Sequence, residues 1–334
     1  MNPVQVQPKL AEPEPHRTAE TLVWDLFANR VVPFWVANKW PSPISHAWVS
    51  DKEQRDVCTS INGYEWPVPI PKDVDLNHIR IEMLNLGAEY VWLDVLCLRQ
   101  KGGCREDLCR EEWKVDVPTI GAIYCITGFR MVVYYLSGLG RPFFLTSDDL
   151  ESDHCWFRRA WTLQEVDKDY VIGGETEHHW MDKNMQRRVN KHLQSLKYAK
   201  GPWLFDLLQE MWNRVSTKPL DKVAGLAYFI SKSSIPIYDE LQSEEDAWVA
   251  LTEVMSEDYC LQLLFLYSEP GDGCGRWQPS WNQLMVMEII PDDSLILGIG
   301  TLGTEETGAD WYEGPCIKSG YLWGLGQVSN KEIS

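Results

Sequence analysis

Between residues 40 and 175 the chain repeats one alternation: short runs apolar on both faces, separated by longer amphipathic segments. PISHAWV (43–49), YVWLDVLCL (90–98), MVVYYL (131–136) and DYVIGG (169–174) read as strands. Between them lie helices over 73–87, 111–127 and 155–169. In the first helix Leu76, Ile79, Met83 and Leu86 form one stripe, and Gly87 stops it. Pro118 should kink or divide the second. A strand apolar on both faces must be covered on both faces, so this pattern predicts an α/β core with a parallel sheet. Right-handed crossovers are expected.

The flanks differ in character. Residues 1–20 are polar and contain prolines, and read as a flexible extension, whereas 21–36 are apolar enough to dock on the body. Beyond the core, 183–215, 221–231 and 244–259 have helical patterns, LQLLFLY (261–267) suits a buried strand, and 294–304 and 319–329 read as short strands among glycines. The expected organisation is an N-terminal extension (1–38), an α/β domain (39–182), and a helical layer with a small β element (183–334) packed on that domain.

A formal charge of −18 repels polyanions, so nucleic acid is not an expected partner. No run reaches membrane-span length, and the N-terminus lacks the apolar stretch of a signal peptide, which places the chain by expectation in the cytoplasm. Nine cysteines, an odd number, argue against a disulfide framework. Seventeen tryptophans imply aromatic-rich packing in which each buried N–H needs an acceptor.

Three segments, in order along this alternation, carry a resemblance. They are Ser45-His46-Ala47-Trp48, Trp92-Leu93-Asp94-Val95-Leu96-Cys97-Leu98-Arg99-Gln100, and Arg159-Ala160-Trp161-Thr162-Leu163-Gln164-Glu165. Together they resemble the fungal heterokaryon-incompatibility (HET) domain family over roughly residues 40–170, and Pro279-Ser280-Trp281 resembles a downstream element of such proteins. The chain departs from the family pattern at His46 (usually Tyr), Val49 (usually Gly) and Arg99 (often acidic). The resemblance implies a part in self/non-self recognition and programmed cell death, with self-association or an incompatibility protein as partner.

HET domains are similar in layout to TIR domains, several of which cleave NAD. The likeness implies a flavodoxin-like or TIR-like core with Glu165 as the catalytic carboxylate, sharing a helix face with Trp161 four residues earlier. NAD, or a related nucleotide, is then a substrate and not a resident cofactor. Trp48 or Trp161 would stack on a ring, Arg158 or Arg159 would meet the pyrophosphate, and His46, Asp94, Arg99 and Gln100 would line the strand ends. Each has a structural alternative. Glu165 could pair with Arg158 or Arg159, Trp161 could anchor the core, Asp94 could cap a helix or hold an arginine, and His46 could be a satisfied half-buried histidine. A thiol nucleophile at Cys97 is disfavoured by its apolar surroundings, and Cys97, Cys104 and Cys109 lack the partner ligands of a zinc site. The competing function is a non-enzymatic scaffold that signals by self-association.

Overall fold

The computed structural model describes residues 21–125, 131–167, 169–174, 183–199, 203–232, 234–267, 270–273, 278–286, 301–304 and 310–313. The 1–20 extension and the 319–329 strand lie outside these residues, as does the first part of 294–304.

The chain is α/β. Its strands are β1 (Leu22–Asp25), β2 (Arg30–Pro33), β3 (Ser42–His46), β4 (Gln54–Val57), β5 (Val68–Pro71), β6 (Tyr90–Trp92), β7 (Val132–Tyr135), β8 (Tyr170–Ile172), β9 (Thr301–Thr304) and β10 (Asp310–Glu313). Six of them form the main sheet, in the order β2-β1-β6-β3-β7-β8. The pairs β6–β3, β3–β7 and β7–β8 are parallel. These four are the strands expected from sequence, and their order, second-first-third-fourth, is that of a doubly wound sheet. Such a sheet reverses its winding between β3 and β7, where ligands gather beyond the strand ends. The apolar 21–36 segment becomes the β1–β2 hairpin, and β1 extends the sheet by pairing antiparallel with β6. The β4–β5 and β9–β10 hairpins stand apart from the main sheet.

The Leu76–Asn85 helix forms as expected: the Asp75 side chain accepts from the Asn77 N–H, Leu76, Ile79 and Met83 are buried, and Gly87 adopts φ +84°. Pro118 divides the second helical segment into Glu106–Asp116 and Ile120–Cys125 with a 3₁₀ turn between.

Three expectations need correction. The 90–98 segment is strand only as far as Trp92. At Asp94 the chain turns into the short Asp94–Cys97 helix, in whose first turn the Asp94 carboxylate accepts the Val95 N–H at 2.7 Å. Val95, Leu96 and Cys97 are all buried, and an apolar run with no polar face reads the same in either conformation. The 155–169 segment is not one helix either: a 3₁₀ turn (Trp156–Arg158) and a single helical turn (Thr162–Glu165) flank extended backbone at Arg159. That backbone is held from the C-terminal region, since the Ala160 N–H donates to Val215 O and the Val215 N–H to Arg158 O. The Thr162 hydroxyl bonds Trp156 O and Arg159 O instead of leaving both to a helix ladder. Finally, 261–267 is not a strand: it lies mostly within the Glu257–Leu266 helix, which starts after the Glu244–Glu253 helix ends.

One hydrophobic cluster runs from Trp24 in the sheet to Leu284 in the short Trp281–Val286 helix, so the helical region packs against the sheet domain. Trp24, Trp92, Trp156 and Trp248 are among the largest fully buried side chains. Indole N–H groups find acceptors, as expected of buried Trp: Trp24 on Asn29, Trp66 on Val95 O, Trp156 on Ser45 and Trp248 on Pro279 O. Among the described residues no helix is long and apolar enough to cross a membrane.

The contact between the Ile120–Cys125 and Leu220–Ile230 helices depends on Gly121. A methyl there would come within 2.5 Å of the Tyr228 ring and 2.6 Å of Gln164 Oε1. Gly→Ala in a helix interior gains at most about 1 kcal/mol of propensity, whereas overpacking costs about 1–3 kcal/mol. Gly121→Ala is therefore expected to lower the urea midpoint, and a raised midpoint would show that this contact is loose.

Candidate functional site

Four polar side chains from three stretches of chain meet beyond the C-terminal ends of β3 and β6. Ser45 and His46 end β3, Asp94 opens the turn after β6, and Glu165 closes the helical turn before β8. The sheet places them together because β3 lies between β6 and β7.

His46 is buried. Its Nε2 lies 2.9 Å from Asp94 Oδ1, and its Nδ1 lies 3.2 Å from the Ala47 carbonyl. Both ring nitrogens face acceptors, so the ring is best satisfied as an imidazolium donating on both sides. Burial alone would lower its pKa. The charge and hydrogen bond of Asp94, the Ala47 carbonyl and the charge of Glu165 outweigh burial, and the pKa is raised. In its protonated form the ring donates on both sides and has no free lone pair, and the raised pKa favours that form. Trp48 stacks on it, with ring centroids 5.6 Å apart.

Glu165 is enclosed by protein yet keeps some exposed surface. The Ser45 hydroxyl donates to its Oε2, and the Trp156 indole donates to Ser45 Oγ at 2.7 Å. Burial pushes the Glu165 pKa up to about 7. The Ser45 hydrogen bond and the charges of His46 and Arg159 act against burial, and the Asp94 charge acts with it. A carboxyl whose pKa is moved toward neutrality and that keeps some exposed surface is characteristic of functional groups.

The arginines separate. Arg158 turns outward to Asp153 at 3.1 Å. Arg159 makes no ion pair among the described residues, although its charge is felt by Asp221, Glu165 and Asp94; burial pulls its pKa below the usual arginine value. Neither forms an ion pair with Glu165, so that structural alternative does not hold among the described residues. Arg99 is spent elsewhere, on Glu112 at 2.9 Å and Glu65 at 3.0 Å, with its guanidinium 5.1 Å from the Trp66 ring centroid. Gln100 ties down the turn by donating to Leu98 O at 2.9 Å. Trp161 faces Tyr238, 5.9 Å between centroids. The structure therefore gathers His46, Trp48, Asp94, Arg159 and Glu165, and it leaves Arg99, Arg158 and Trp161 committed to other contacts.

Two members of the cluster were not singled out from sequence. Ser45 had a signal, as the first residue of the Ser-His-Ala-Trp segment. Trp156 had none beyond being an aromatic in an apolar stretch.

Cys97 is buried and its pKa is pushed up to about 12 by burial, so it stays a thiol and is not a nucleophile. Among the described residues no group of His, Cys, Asp and Glu comes together in a way that could hold a metal ion.

Comparison with protein-family models, with curated proteins and with solved structures gives no match.

Proposed function

We propose that this chain is a HET-domain-like protein of self/non-self recognition and programmed cell death, and that it acts by hydrolysing NAD or a related nucleotide through Glu165. The observation that supports this reading is the placement of Glu165, its pKa raised to about 7, at the strand ends, beside an arginine without an ion-pair partner among the described residues and a histidine whose two ring nitrogens both face acceptors. Arg159 supplies the fork of donors that a pyrophosphate needs. In cleavage the bond between ribose C1′ and the nicotinamide nitrogen breaks, and its electron pair leaves with neutral nicotinamide. Glu165, as carboxylate, stabilises the cationic charge that develops on the ribose. Water then adds to C1′, and its proton passes to Glu165 and on to solvent.

The reading is tested by incubating purified protein with NAD and measuring free nicotinamide. It also fixes a pH dependence. The working form of Glu165 is ionised, so kcat/KM should fall on the acid side, tenfold per pH unit, with its midpoint near 7. A bound pyridinium cation favours the carboxylate, so the limb in kcat should lie at lower pH than the limb in kcat/KM. A flat kcat/KM profile between about pH 5 and 8 would exclude Glu165 as the ionising group.

A second reading, a scaffold that signals by self-association, is favoured by the exposure of Trp35, Val36 and Trp40 in and after the short Phe34–Ala37 helix. No nicotinamide release by dilute or self-associated protein, together with concentration-dependent oligomers in sedimentation, would favour it.

A further inference from the structure

Ser45 is 1% exposed and makes two hydrogen bonds with different roles. The indole N–H of Trp156 can only donate, so it occupies a lone pair of Ser45 Oγ. The Ser45 proton must then find an acceptor, and among the described residues that acceptor is Glu165 Oε2. The direction of the chain is fixed: Trp156 N–H to Ser45 O, Ser45 O–H to Glu165 Oε2. Trp156 is itself fully buried between Tyr134, 4.9 Å away by centroids, and Phe157 at 5.2 Å, so its indole has no freedom to turn. The other carboxylate oxygen, Oε1, makes no hydrogen bond among the described residues.

We infer that Ser45, oriented by Trp156, is a positioning residue that locks one oxygen of Glu165 and leaves Oε1 as the only one available to a reacting atom. The catalytic consequence rests on the nucleotide-cleavage reading of Glu165; the positioning itself does not. When Glu165 takes up a proton, the lock on Oε2 directs that proton to Oε1. When it loses the proton, the Ser45 O–H is already oriented toward the charge, with no reorganisation needed. Ser45 therefore holds the carboxylate both in place and toward its ionised form, against burial.

The other groups acting on Glu165 come from every element packed around it: His46 on β3, Asp94 after β6, and Arg159 on the preceding turn. The phenols of Tyr124 and Tyr134 and the guanidinium of Arg214 also lie within electrostatic reach of it. None of these is altered by Ser45→Ala, so a change in Glu165 ionisation in that variant reports on the hydroxyl.

The experiment uses the full chain labelled with carboxyl carbon-13 glutamate. The Glu165 signal is assigned by its absence in Glu165→Gln, and its titration is followed in wild type, Ser45→Ala and Trp156→Phe beside the pH profile of nicotinamide release. Ser45→Ala is expected to move the Glu165 midpoint, and the acid limb of kcat/KM, up by about one pH unit, with kcat falling more than KM changes. Trp156→Phe keeps the hydroxyl and frees its rotation, so a smaller shift in the same direction is expected. It also serves as the readout should Ser45→Ala not fold. An unchanged or lowered Glu165 midpoint in both variants would overturn the assignment. A raised midpoint in protein that releases no nicotinamide would uphold the positioning of Glu165 and remove the nucleotide-cleavage reading.

Discussion

Glu165→Gln is expected to reduce nucleotide cleavage by about a thousandfold or more while making the protein more stable at alkaline pH. The two effects have one cause. A carboxylate that stabilises a cationic transition state contributes several kcal/mol, and a neutral amide cannot replace its charge. That same charge is costly to the folded protein. Glu165 has a folded pKa of about 7 against an ordinary 4.5, so the native state holds this proton more tightly than the unfolded chain does. The associated stability is fully present below the unfolded value and is lost as pH rises through 7. A difference of that size corresponds to about 3 kcal/mol at pH values above both. Glutamine carries no such penalty and can still accept the Ser45 hydrogen bond. The variant should therefore melt several degrees above wild type near pH 8, and near or slightly below it near pH 5. His46, whose pKa is also raised, adds to the same fall in wild-type stability with rising pH. A Glu165→Gln protein that melts lower than wild type near pH 8 would show that the charge is a structural partner and not a strained functional group.

The sheet was legible in the sequence because a strand covered on both faces leaves an unbroken apolar run, as MVVYYL does at β7. The helix at Leu76–Asn85 was legible through its stripe and its terminal glycine, both local signals. What could not be read was set by partners distant in sequence. The break at Arg159 depends on Val215, and the helical state of residues 261–266 on packing that an apolar run does not encode. The β4–β5 hairpin escaped notice because Pro69 and Pro71 do not look like strand residues. At the site, the resemblance gave Glu165, His46 and Asp94, but not their hydrogen-bond partners. That the protonated form of His46 is favoured follows only from an acceptor at each nitrogen, and one of these, Asp94, lies 48 residues away. Arg158 and Arg159 are neighbours in sequence and cannot be ranked from it; extended backbone sends one to Asp153 and leaves the other within reach of Glu165.

The segment that carries Glu165 is not held by its own helix, which is a single turn, but by Val215 and Arg214 from the C-terminal region. Arg214 is 2% exposed. Its Nη1 donates to Arg159 O at 2.6 Å and to Thr162 Oγ1 at 2.8 Å, so one guanidinium spans the break in the backbone, while Glu210 lies 3.9 Å away. Burial pulls its pKa down to about 10, still far enough above neutrality to keep it charged. Arg214→Met keeps the bulk of the side chain but leaves the Arg159 carbonyl and the Thr162 hydroxyl without this donor. It also leaves the Glu210 carboxylate without its nearest cation. Hydrogen bonds from a charged donor contribute about 1.5–3 kcal/mol each, and breaking a buried charged network costs about 3–5 kcal/mol. Arg214→Met is expected to lose stability in that range by urea denaturation. The folded fraction should also show kcat reduced by an order of magnitude or more, because Arg159 and Glu165 no longer share a fixed geometry. Arg214→Lys retains the charge but not the fork, so it should recover stability more than kcat. Full activity per folded molecule in Arg214→Met would mean that Ser45 and Trp156 alone suffice to place Glu165, and that the C-terminal region serves the fold without serving the site.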